Sequence, residues 1–195
     1  MLSSSKQRER GWGVKGGRFR HRKDPPMPLF IALLRAINVG GTGKLPMSDL
    51  RSLCEKAGFR NVRTYIASGN VVAERDGSEA EAKAALEAEL DAYAGKPVGV
   101  IVRTGAEMSE VVANNHFPDR AASQTVAVFL DLAPPRDALK HVKGQVNEEA
   151  RLGAREIYVH YPDGMGRSKL RIPQANEGTA RNMNTVAKLA AIAGE

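Results

Sequence analysis

Arg35, Asn38 and Lys44 surround the glycines Gly40, Gly41 and Gly43 in LLRAINVGGTGK, residues 33–44. An apolar run ending in such a cationic turn suits an oxyanion. Glycines let backbone N–H groups approach closely, and Arg and Lys supply charge. Two further segments concentrate the same residue types. TYIASGNVV, residues 64–72, carries Ser68, Gly69 and Asn70 where a tight turn is expected. GTARNMNTVAKL, residues 178–189, places Thr179, Arg181, Asn182 and Asn184 ahead of a helix, whose N-terminus attracts anions. Capping accounts for one of these polar residues, not for all four. Lys169, in GRSKL, either converges on the same ligand or faces solvent. The candidate ligand-binding set is Arg35, Asn38, Gly40, Gly41, Lys44, Ser68, Asn70, Lys169, Arg181, Asn182 and Asn184. Its candidate ligand is a small anion, a nucleotide or a phosphorylated metabolite. The set forms one site only if the first and third segments meet in space. If instead the polar residues bond to each other, they are a structural lock between two parts of the chain, and the protein is a structural or interaction module.

Other chemistries find little support. The glycine loop fails as a nucleoside triphosphatase motif, which needs Gly where Asn38 stands and a hydroxyl where Leu45 stands. Without that hydroxyl the usual magnesium ligand is missing. His21, His116, His141 and His160 lack the paired spacing of a metal site. There is no G-x-S-x-G elbow. Glu79, Glu81, Glu87 and Glu89 read as the solvated face of a helix. Cys54, the single cysteine, falls at a helical apolar position and reads as a packed thiol. No catalytic residue, metal or cofactor is assigned, and whether the protein is an enzyme stays open.

Charge distribution limits the partners. The chain of 195 residues carries a formal +7. Residues 1–27 hold eight cations and two acids, so they account for +6 and leave +1 for the remainder. A nearly neutral body is a poor nucleic-acid surface; only the tail could act as a basic arm. That tail is rich in Gly, Arg and Ser without periodicity and is expected to be disordered, an extension ahead of Met27. It lacks the long apolar core of a secretory signal. No apolar run approaches the roughly 18 residues of a membrane span. With one cysteine and no disulfide framework, a cytoplasmic location is expected. The oligomeric state is not set by the sequence.

The elements that must position the candidate site follow from periodicity. LFIALLRA, residues 29–36, is a continuous apolar run of strand length. A helix over residues 47–57, a strand near Val62 to Ile66 and a strand from Val71 follow. A helix over residues 78–94 is the strongest periodic signal, and residues 98–102 make a fourth strand. This β-α-β-β-α-β order predicts a ferredoxin-like plait over residues 28–104, an antiparallel sheet with both helices on one face. Residues 105–195 read as a second, less regular α+β unit. It has helices near 106–114 and 135–142, a strand at 125–130, a hairpin turning at Gly153, and a last helix from about Asn184. The fold class is therefore α+β, two plait-like units with mainly antiparallel sheets.

The segments LLRAINVGG, MSDLRSLCEKAGFRNVRTYIASGNVV, EIYVHYPDGMGRSKL and TARNMNTVAKL together resemble the bacterial family called domain of unknown function 1697. The resemblance spans about residues 27–192. It implies two ferredoxin-like α+β units and brings no activity, cofactor or catalytic residue. Ala36 stands where the family usually has Gly, Gly43 where it has Asn, and Met183 where it has Trp. If that Trp stacks on a ligand in relatives, Met183 weakens the contact; if it only packs, Met is an adaptable replacement.

Overall fold

A computed structural model of the protein describes residues 27–35 and 45–195. The expectations for the tail up to residue 26, and for Asn38, Gly40, Gly41 and Lys44, lie outside the described residues.

The first half runs β1 (Leu29–Leu34), α1 (Met47–Lys56), β2 (Arg60–Tyr65), β3 (Asn70–Glu74), α2 (Glu79–Ala94) and β4 (Val100–Thr104). Its sheet has the order β2-β3-β1-β4, with every pairing antiparallel. β1 is continuously apolar because both its faces are covered. Phe30, Ala32 and Leu34 pack with α1 and α2, whereas Ile31 and Leu33 point into a second cluster. The helix α2 starts at a capping box, in which Ser78 and Glu81 satisfy each other's backbone N–H, and stops at Gly95 in the left-handed conformation. β4 begins two residues later than the sequence suggests, because the Val98 N–H is held by the Asp91 carboxylate at 2.7 Å.

The second half runs α3 (Gly105–Ala113), β5 (Thr125–Phe129), β6 (Glu149–Leu152), β7 (Glu156–His160), β8 (Thr179–Asn182) and α4 (Met183–Ala193). Its antiparallel sheet has the order β6-β7-β5-β8, which repeats the first sheet's order counted from its own first strand. The arrangement is consistent with two α–β plait units. Two short 3-10 turns, Met165–Arg167 and Pro173–Glu177, stand where a second crossover helix would lie.

Residues 135–142 are not the helix expected from their pattern. They form tight turns, with the Ala138 N–H donating to Pro135 O at 2.9 Å and the Lys140 N–H to Asp137 O at 2.8 Å. Only Ala138 is fully buried there, with Leu139 and Val142 partly covered. That is too little apolar face to offset the cost of nucleating a helix.

α3 and α4 fill the space between the sheets. Met108 and Val111 of α3 and Met183, Val186 and Leu189 of α4 form one cluster with Ile31, Leu33, Val72 and Ile101 of the first sheet. Ala127, Phe129 and Tyr158 complete it from the second. The layers are thus α1/α2, first sheet, α3/α4, second sheet, and an outer cover of irregular chain. Among the described residues no helix is long and apolar enough to cross a membrane.

Candidate functional site

The residues 179–182, read from sequence as a polar approach to a helix, are a strand. Pairing of Thr179 with Phe129 and Arg181 with Ala127 turns both polar side chains toward the first sheet. Gly178 permits this docking. A Cβ there would stand 2.4 Å from the Phe129 carbonyl oxygen, so only glycine lets the backbone pass.

Arg181 is where the three polar segments meet. All five N–H groups of its guanidinium have acceptors. Nε donates to Asn70 Oδ1, and Nη1 donates to Thr179 Oγ1 and to the Ala180 carbonyl, each at 2.8 Å. Nη2 donates to the carbonyls of Leu34 and Ser68, each at 3.0 Å. The first segment thus contributes Leu34, the second Ser68 and Asn70, and the third Thr179 and Arg181. Thr179 reinforces the contact, its hydroxyl donating to Leu34 O at 3.2 Å. Asn70 is held in turn, donating from Nδ2 to Tyr65 O at 2.9 Å and to Ser68 Oγ at 3.0 Å. Burial lowers the Arg181 pKa to about 10, yet it remains a cation at neutral pH.

Arg35 lies one residue beyond this knot. Its Nη2 donates to the Asn176 carbonyl at 2.8 Å, so it too reaches from the first half of the chain to the second. Neither Arg35 nor Arg181 is ion-paired with a carboxylate among the described residues. Two arginines are thus anchored at the Leu34 end of β1, and neither meets a carboxylate among the described residues. The turn beside them is strained. Ile66, a β-branched residue, sits at φ +49 with 49% of its surface exposed, and Gly69 takes φ +74. Holding Ile66 there costs on the order of 1–2 kcal/mol.

The other candidates are placed elsewhere. Asn182 is the N-cap of α4, its Oδ1 accepting from the Thr185 N–H at 2.9 Å, so capping accounts for this one of the four polar residues. Asn184 is exposed on the first turn of α4. Lys169 is exposed and lines a cavity with Glu148 and Tyr161. Met183, at the position where the family usually has Trp, is buried in the central cluster with its N–H bonded to Ala122 O at 3.1 Å. Cys54 is fully buried, and burial pushes its thiol pKa up to about 12, which makes it an inert packed thiol. Among the described residues, no group of three or more His, Cys, Asp or Glu is placed to hold a metal ion.

A second polar contact between the sheets was not singled out by the sequence reading. Arg103, at the end of β4, is 1% exposed and pairs with Glu156 of β7 at 3.1 Å. Its Nη2 also donates to the Leu130 carbonyl at 2.6 Å and its Nη1 to the Val102 carbonyl at 2.8 Å. Next to it, Arg155 bridges Glu79 at 2.6 Å and Glu107 at 3.0 Å. The signal was a lone charge inside each of two apolar strands, VIVRT and EIYVH. The two sheets therefore exchange arginines, Arg103 in one direction and Arg181 in the other. Among the described residues, Arg103 of these two meets a carboxylate and Arg181 does not.

Residues 27–158 match the family described as protein of unknown function (DUF1697), and the chain belongs to that family. In three dimensions it is similar to the conserved bacterial protein SP0830 from Streptococcus pneumoniae, with a TM-score of 0.72 at 20% identity. The alignment covers 87% of this chain and 99% of that one. At that identity the likeness shows the fold. No curated protein matches the sequence.

Proposed function

We propose that this member of the DUF1697 family is a cytoplasmic binding protein whose site for a small anionic ligand, nucleotide or phosphorylated, lies at the Leu34 end of β1. In this reading residues 28–104 and 105–195 are two units. Arg181, Asn70, Ser68 and Thr179 hold them in register, while Arg35 and the loop carrying Asn38, Gly40, Gly41 and Lys44 receive the ligand. The observation that carries the reading is that Arg35 and Arg181 are both anchored at the Leu34 end of β1 without a carboxylate partner among the described residues. An uncompensated cationic focus between low-dielectric walls concentrates anions. Arg181 acts here through its field and by positioning Leu34 and Ser68, because its donors are already engaged. The strained turn at Ile66 beside it supports the same location.

A second reading also has a specific observation behind it. The complete internal satisfaction of Arg181 favours a purely structural lock, in a protein that serves as an interaction module. One experiment separates the two. Thermal shifts are measured for wild type, Arg35→Ala and Arg181→Lys with a panel of nucleotides and sugar phosphates. Binding predicts ligand-dependent stabilisation of wild type that is lost in Arg35→Ala. The lock alone predicts no stabilisation by any member of the panel, with Arg181→Lys lowering the melting temperature regardless of ligand.

A further inference from the structure

A cavity of about 390 Å³ lies between the turn at residues 146–148 and the segment 161–169, lined on the outer side by Val146, Glu148, Tyr161, Arg167, Ser168 and Lys169. It involves none of the residues of the Arg181 junction. Its acids are already engaged. Glu148 is 6% exposed and accepts from the Ser168 hydroxyl and, at 2.8 Å, from the Val146 N–H. Asp163 accepts from Asn147 Nδ2 at 2.8 Å. Its cations are not engaged by the described residues. Arg167 and Lys169 are exposed, and neither side chain has a partner among the described residues.

The apolar part of the wall is equally uncovered. Val146 is 86% exposed, and Met165, in the same segment as Arg167, is 54% exposed. A soluble surface tolerates single exposed apolar residues. Here Val146 and Tyr161 line a cavity that also presents two cations unpaired among the described residues, and an apolar wall with a few polar groups is the composition of a small-molecule site. Glu148 ties the turn to Ser168, and the backbones of Lys143 and Arg171 exchange hydrogen bonds at 3.0 and 2.8 Å.

The geometry points to a second binding site, for a small organic oxyanion whose phosphate or carboxylate meets Arg167 and Lys169 and whose apolar part covers Val146 and Tyr161. Because both acids are held by internal donors, they repel the head group less than their number suggests, and the free donors set the preference. The Arg fork and the Lys ammonium are the usual pair for such a head group.

The test is a titration of the ¹⁵N-labelled full chain with phenyl phosphate, benzoate and inorganic phosphate, followed through the amides of residues 161–169. Saturable shifts are expected for phenyl phosphate or benzoate, and the tighter of the two identifies the head group. Inorganic phosphate is expected to bind at least tenfold more weakly than phenyl phosphate. R167A/K169A should weaken the preferred probe at least tenfold, with R167Q/K169Q giving the same loss if the alanines disturb the fold. Arg35→Ala should leave binding unchanged. The proposal is overturned by the absence of saturable shifts with both aryl probes or by equal affinity in the double variants. Loss of binding in Arg35→Ala would also overturn it, assigning the anion to the junction instead.

Discussion

Arg103 and Glu156 form an ion pair across the two sheets at 3.1 Å, with side chains 1% and 5% exposed. Burial lowers the arginine's pKa, and the Glu156 charge works against that shift. A pair this deep stabilises mainly by not being broken. Removing one partner leaves the other charge buried without compensation. Glu156→Leu or Arg103→Met should therefore each cost about 3–5 kcal/mol, whereas the two replacements together should cost much less than the sum. Urea denaturation of the three variants checks this; equal additivity would show that the pair is not coupled.

Gly178 lets β8 lie against β5, and its missing side chain is a packing requirement. Gly178→Ala puts a methyl 2.4 Å from a backbone oxygen that cannot move without breaking the β5–β8 ladder. A loss of about 2–4 kcal/mol is expected, comparable to overpacking a core. It should appear in hydrogen exchange as faster opening at residues 179–182. A melting temperature unchanged from wild type would mean that β8 does not dock as described.

Ile66 should respond in the opposite direction. Ile66→Asn or Ile66→Gly releases a β-branched residue from the left-handed region and removes an exposed apolar side chain, so stability should rise by about 0.5–1 kcal/mol. Thermal denaturation is the measurement. A decrease would show that Ile66 makes contacts that outweigh the backbone strain.

Acid should loosen the contact between the sheets. At Glu107, burial raises the carboxyl pKa, but the Thr104 N–H and hydroxyl and the nearby Arg155 outweigh it and hold it below the ordinary value. A folded pKa below the unfolded one stabilises above about pH 4.5, and that contribution is lost as pH falls through the folded value. Glu107→Gln should therefore flatten the acid limb of the stability–pH curve. An identical slope in the variant would remove Glu107 from the account.

Much of the fold was legible because it rests on local signals. The apolar run of β1, the helical periodicity of residues 78–94 and the Gly153 hairpin each announce an element within a few residues. The expected helix over residues 135–142 failed because its periodicity is short and its apolar face covers the sheet at a single fully buried residue, Ala138. The strand Thr179–Asn182 was hidden by its polarity. Thr and Arg read as loop residues until a partner sheet supplies carbonyls for them. The convergence of the three polar segments followed the same pattern. Residue types suggested it, but the finding that Arg181 faces protein acceptors rather than solvent depends on the contact between two sheets, which no local window contains. Lys169 shows the converse, a residue of the right type that lines a different surface.

The account turns on the claim that the three polar segments act as one unit through Arg181. A double-mutant cycle on Arg181→Met and Asn70→Ala, read by chemical denaturation, tests it most directly. Asn70 is fully buried and accepts from Arg181 Nε, so each single variant should lose about 2–4 kcal/mol and the pair should be coupled by at least about 1 kcal/mol. Losses that add to within about 0.3 kcal/mol would contradict the claim and leave Arg181 and Asn70 as independent contributors.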